Sequence, residues 1–161
     1  MKILPTSNYN FKILGEPTES LERLKRRTQI SENLISKMTD KSFIGTINNN
    51  KFRIISSEIG KGSFCVLNGE ITNKHGIVNV EINKPFQILL CILLCLPAVG
   101  LIAQFLTQEA NLFLLFTAVA IMQVLMIRFI FIELAFRRLS KTSLNRLSDV
   151  LDIESLQKKN K

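Results

Sequence analysis

The chain has 161 residues, with 21 Lys and Arg against 13 Asp and Glu, one His, three Cys and no Trp. That is one small domain with an addition; it excludes a disulfide-dense secreted miniprotein and is too apolar for a fully disordered chain. Charge is very unevenly spread: residues 86–136 hold only Glu109, Arg128 and Glu133, which leaves 31 charged side chains to the other 110 residues and describes a charged chain with an oily insert rather than a conventional soluble enzyme.

The first fifteen residues, MKILPTSNYNFKILG, contain neither an apolar core of useful length nor a small-residue cleavage site, so no secretory signal is expected there. The next segment reads as an amphipathic helix over about 17–39. Pro17 suits a helix start, and Leu21, Leu24, Ile35 and Met38 share a stripe whose middle positions are the polar Thr28 and Ser31. That polar middle favours packing on a sheet over a coiled coil.

Four short β-branched runs follow: Phe43 to Asn48, Phe52 to Ser57, Ser63 to Ile71 and Gly76 to Asn83. In the last, Val78, Val80 and Ile82 alternate with Asn79, Glu81 and Asn83, which gives one apolar and one wet face. Turns are expected at Asn49–Asn50, in the run from Gly60 to Ser63, and at Lys74 to Gly76. The simplest arrangement is a small antiparallel meander of four strands, its greasy side covered by amphipathic helices.

From Phe86 to Ala103, 18 consecutive residues carry no charge; at ~1.5 Å per residue they cover roughly 27 Å, close to the thickness of a hydrocarbon core. A second apolar run begins at Asn111 and reaches Ile132, interrupted by Arg128. The connection is too short for anything but an antiparallel helical pair, and neither run has the polar face of a soluble hairpin. Two transmembrane spans are therefore predicted, over about 86–106 and 111–132. All the basic residues except Arg128 lie before Phe86 or after Ile132, so the positive-inside tendency places both termini in the cytosol and the protein in the cytoplasmic (inner) membrane.

Polar residues within and beside the spans are the candidate membrane contacts. Arg128 lies about 25 Å down the second span, where it is expected to snorkel to the cytosolic interface. Gln123 lies about 18 Å down and is expected to make an interhelical hydrogen bond, to the first span or to a second copy. Arg137, Arg138, Lys141 and Arg146 form a basic cluster just past the second span, suited to an anionic inner leaflet. Leu144, Leu147 and Leu151 recur at helical spacing, so a helix either starts afresh at Ser140 or Ser143 or continues the second span. The predicted organisation is a cytosolic α+β module over 1–84, a membrane hairpin over 85–133, and a cytosolic amphipathic helix with a basic tail over 134–161.

Groups for catalysis are sparse. His75 has no partner in the sequence, and Cys91 and Cys95 share a helix face without further ligands at that depth; Cys65 is isolated from both. Gly60 to Ser63 lacks the spacing of a phosphate loop. No catalytic set, cofactor, metal or small-molecule substrate is expected, and the lack of an aromatic stacking platform argues against nucleic acid. A small β module beside a membrane hairpin with a terminal amphipathic helix resembles the layout of bacterial membrane proteins with pleckstrin-homology-like modules. Those modules have more strands than the four legible here, so the resemblance carries no residue or activity. The sequence thus predicts a non-catalytic membrane protein that presents an α+β module to a protein partner or to its own copies, with an accessory or pore-forming subunit as the alternative.

Overall fold

The computed structural model describes residues 4–106 and 110–159. The chain divides into two compact units, residues 84–135 and the remainder, so that residues 1–83 and 136–161 fold together.

The larger unit is built on one seven-stranded mixed sheet. In chain order its elements are β1 (Ser7–Ile13), α1 (Pro17–Arg27), β2 (Thr28–Ile30), β3 (Phe43–Asn48), β4 (Lys51–Ser56), β5 (Cys65–Thr72), β6 (His75–Ile82) and β7 (Ile153–Lys158). The spatial order is β2-β3-β4-β5-β6-β1-β7, antiparallel throughout except for β2 beside β3. The four predicted strands are present as β3 to β6 and do form a meander. The expectation of four strands in all is corrected: β1, β2 and β7 extend the sheet on both sides.

The predicted helix over 17–39 is also corrected, since α1 ends at Arg27. Thr28 turns its hydroxyl onto the Leu24 carbonyl at 2.7 Å, and the chain then pairs Thr28, Gln29 and Ile30 with Phe43, Ile44 and Gly45. The polar positions Thr28 and Ser31 would have interrupted the helix's apolar stripe, and β-branched Thr28 and Ile30 fit an extended strand better. Residues 31–42 form an irregular strap. The turn between β5 and β6 falls at Asn73 and Lys74, one residue earlier than predicted, because Asn73 adopts the left-handed conformation (φ 56°) that asparagine tolerates and Thr72 pairs with His75.

Alternation sorts the sheet's two faces. One carries Phe43, Ile54, Leu67, Val78, Val80, Phe11 and Ile13, all buried. A long helix, α4 (Glu133–Leu151), supplies a stripe of buried residues, Phe136, Ser140, Ser143, Leu144, Leu147 and Leu151, at the spacing of one helical face. Arg146 anchors it to this face by donating to the Ser56 hydroxyl at 3.0 Å. Ser140 and Ser143 lie inside the helix and cap nothing; helical conformation runs through them without a break. The tail beyond α4 is not merely basic. After Asp152, in the left-handed conformation at φ 50°, the chain reverses and adds β7 to the edge of β1.

The opposite face is only half covered. Ile44, Ile55 and Val66 form a small core there under Leu34 of the strap. Apart from Ile77, the rest of that face is polar.

The smaller unit pairs α2 (Lys84–Leu106) with α3 (Ala110–Leu125), followed by a π-helical turn at Met126–Ile132. Two helices, one starting at Lys84 and one running from Leu114, are long and apolar enough to cross a membrane. Their large side chains, among them Ile88, Leu89, Ile92, Leu114, Ile121 and Met122, are exposed on the protein's surface, as a lipid-facing pair requires and a buried core pair does not.

Candidate functional site

The open half of the polar sheet face carries a concave feature. Register aligns Asn8, Asn79, Asn68 and Arg53 in one row across β1, β6, β5 and β4, and Asn10, Ile77, Glu70 and Lys51 in the next. Of these, Asn68, Asn79, Asn10, Ile77, Glu70 and Lys51 line, with Thr72, His75 and Lys159, a groove of about 710 Å³, within the range of ligand sites. Asn79 donates its amide to Glu81 at 2.6 Å, while its side-chain oxygen is buried without a hydrogen-bond partner. That oxygen is an acceptor waiting for a donor, since a buried polar group left unpaired costs about 1–3 kcal/mol. Lys51 faces Glu70 at 3.8 Å, so the groove's charges are partly self-compensated. Ile77, half exposed, is its apolar floor.

The β1 side of this groove was legible in the alternation of Asn8, Asn10 and Lys12 with Tyr9, Phe11 and Ile13, the same two-residue period read in β6.

A second, charged cleft lies where the end of α1, the strap and α4 meet. Arg23, Arg27, Lys41 and Arg146 line it with Asp40 and Asp149. Most of its cations are already engaged. Arg23 pairs with Asp152 and with Glu19, and its guanidinium is raised above its ordinary value mainly by the hydrogen bond and charge of Asp152. Arg146 holds Ser56 and lies 3.6 Å from Glu58, and Lys41 donates to the Arg26 carbonyl.

The residues singled out by sequence are dispersed. Gln123 is exposed on α3 and makes no hydrogen bond within the chain among the described residues. Arg128 sits in the π-helical turn with its guanidinium 5.5 Å from the centre of the Phe129 ring. Arg137, Arg138 and Lys141 are exposed along α4, whereas Arg146 is bound to the sheet. His75 is exposed at the groove, Cys91 and Cys95 are exposed on α2, and Cys65 is buried in β5, where burial pushes its thiol up to about 12. In the Gly60 to Ser63 turn the Gly62 amide is spent on the Glu58 carbonyl at 2.7 Å, so the loop is closed on itself rather than open to a phosphate.

Compared with family models, curated proteins and solved structures, the chain matches none.

Proposed function

We propose that the chain is a non-catalytic integral membrane protein whose hairpin, α2 and α3, anchors the seven-stranded module on the cytosolic side, and that the module holds a protein partner or a second copy in the groove of its polar face. The exposed apolar surface of both long helices is the observation that carries the anchor, since lipid is a far better solvent than water for that surface. The groove, with its amide rows, its exposed Ile77 and the unpaired Asn79 oxygen, supports the binding role. Its lining offers no nucleophile beside a base, and the buried Cys65 stays a thiol at neutral pH.

Alkaline carbonate extraction tests the anchor: the protein should remain in the membrane pellet, and release into the supernatant refutes it. A photo-cross-linker at Ile77 tests the groove. It should capture a specific partner or a second copy in native membranes, and Asn79→Leu should abolish the adduct.

A second reading, an accessory or pore-forming subunit, is favoured by Gln123, an exposed polar side chain in an apolar helix, and by Arg128 in a π-helical turn. Ion or solute flux in liposomes that disappears in Gln123→Leu would establish it.

A further inference from the structure

The strap and the neighbouring turn between β4 and β5 leave large apolar side chains uncovered: Met38 is 90% exposed, Ile59 64% and Ile35 56%. These two segments are tied together, because the Ser36 hydroxyl donates to the Glu58 carbonyl at 3.3 Å and the Ser57 hydroxyl to the Lys41 carbonyl at 2.6 Å. Lys37 and Lys61, both exposed, are interspersed with the apolar positions. Both segments are also tied to one residue, Asn83, whose amide donates to the Leu34 carbonyl at 2.9 Å and to the Ser63 carbonyl at 3.0 Å.

Asn83 is the last residue before α2. The apolar run of the first span starts at Phe86, so only Lys84 and Pro85, a path of at most about 11 Å, separate the strap's anchor from the membrane-spanning segment. On the reading of α2 as a span, this end of the sheet is held at the lipid headgroups. An apolar side chain exposed to water there has a better solvent within reach, and lysines beside it can extend to anionic phosphates while their stems lie along the apolar surface.

We infer that Met38, Ile35 and Ile59 dip into the headgroup region of an anionic membrane, making the strap and the β4–β5 turn a second, reversible lipid contact of the module. The inference rests on the anchor reading but does not follow from it, since a hairpin could equally hold the module on a loose tether.

The chain has no tryptophan, so single-tryptophan variants report one position each. Met38→Trp, Ile59→Trp, Ile77→Trp and Phe116→Trp would be prepared in the full chain and reconstituted in nanodiscs of phosphatidylcholine and phosphatidylglycerol carrying brominated acyl chains. Met38→Trp and Ile59→Trp should emit to the blue of Ile77→Trp and be quenched at least twofold more strongly. Replacing phosphatidylglycerol by phosphatidylcholine, or raising salt, should reduce that quenching. Quenching at both positions no greater than at Ile77→Trp overturns the inference, as does a blue shift that follows protein concentration rather than lipid, which would assign the patch to contact between copies. Phe116→Trp, in the middle of α3, separates the two readings: if it is quenched while Met38→Trp is not, only the strap contact fails, and if it too is unquenched, the anchor itself fails.

Discussion

The ring of Phe11 on β1 lies over Gly76 on β6, filling the space that a Cβ at position 76 would need. Phe52 on β4 does the same over Gly69 on β5. Two aromatic rings thus close the apolar face where the neighbouring strand has no side chain, which is how the sheet accommodates glycine within its strands without leaving voids. Gly76→Ala should therefore overpack the face and destabilise the module by about 1–3 kcal/mol. The measurement is the denaturant midpoint of the protein in detergent. Adding Phe11→Leu to Gly76→Ala should recover part of the loss, because it removes the ring that the new methyl meets.

Arg146 lies at the centre of the second relationship that holds α4 to the sheet. Its guanidinium donates to Ser56, which is fully buried at the end of β4, and lies near Glu58. Arg146→Met keeps the aliphatic stem and removes the charge, so the Ser56 hydroxyl loses a charge-assisted partner. Because Arg146 and Glu58 are each more than a third exposed, solvent screening limits the ion pair, and the expected loss is about 1 kcal/mol, most of it through Ser56. A double-mutant cycle with Ser56→Ala should return a coupling of similar size; independent effects would show that the bond contributes nothing.

This pairing also shows what the sequence conceals. Along the chain Arg146 reads as one cluster with Arg137, Arg138 and Lys141, and only the fold brings it to Ser56 and Glu58. Local pattern did reveal β3 to β6, since each has turn residues at its ends and a consistent period. It revealed the two apolar helices for the same reason: length and composition suffice. It failed where a strand depends on a distant partner. Thr28–Ile30 is too short to be recognised without β3, and the residues Ile153 to Lys158 become a strand only because β1 offers an edge. The groove was half legible, as Asn79 lay on the predicted wet face, but Asn10 joins it through a pairing between the chain's first strand and its sixth.

Cys65 predicts a pH dependence of definite sign. Burial raises its thiol from the ordinary 9.0 to about 12, so the folded state keeps its proton to higher pH than the unfolded state. Below the unfolded value both states are neutral and the contribution is intact. As pH rises from about 9 towards 12 the unfolded chain ionises first, and stability falls by up to about 1.4 kcal/mol per pH unit. Other groups titrate in that window, so the test compares wild type with Cys65→Val. The wild-type midpoint should drop more steeply above about pH 9 than that of the variant; parallel curves would mean that the thiol is solvated in the native state.

Removal of β7 should expose the edge of β1. In the intact sheet, Phe11 stands beside Leu156, Ile13 beside Ile153, and Lys12 bonds Glu154 at 2.7 Å, while Phe11 and Ile13 are almost completely buried. A chain ending at Asp152 keeps α4 and the pairing of β1 with β6, so it should still fold. However, one row of β1 backbone groups loses its partners, and an open strand edge is a template for pairing with other chains. Amide exchange should accelerate in β1 and stay slow in β5, and the protein in detergent should shift from a discrete species towards aggregates. Unchanged exchange across Tyr9 to Ile13 would show that β7 contributes nothing to the edge, and the strand order of the sheet would have to be revised at that end.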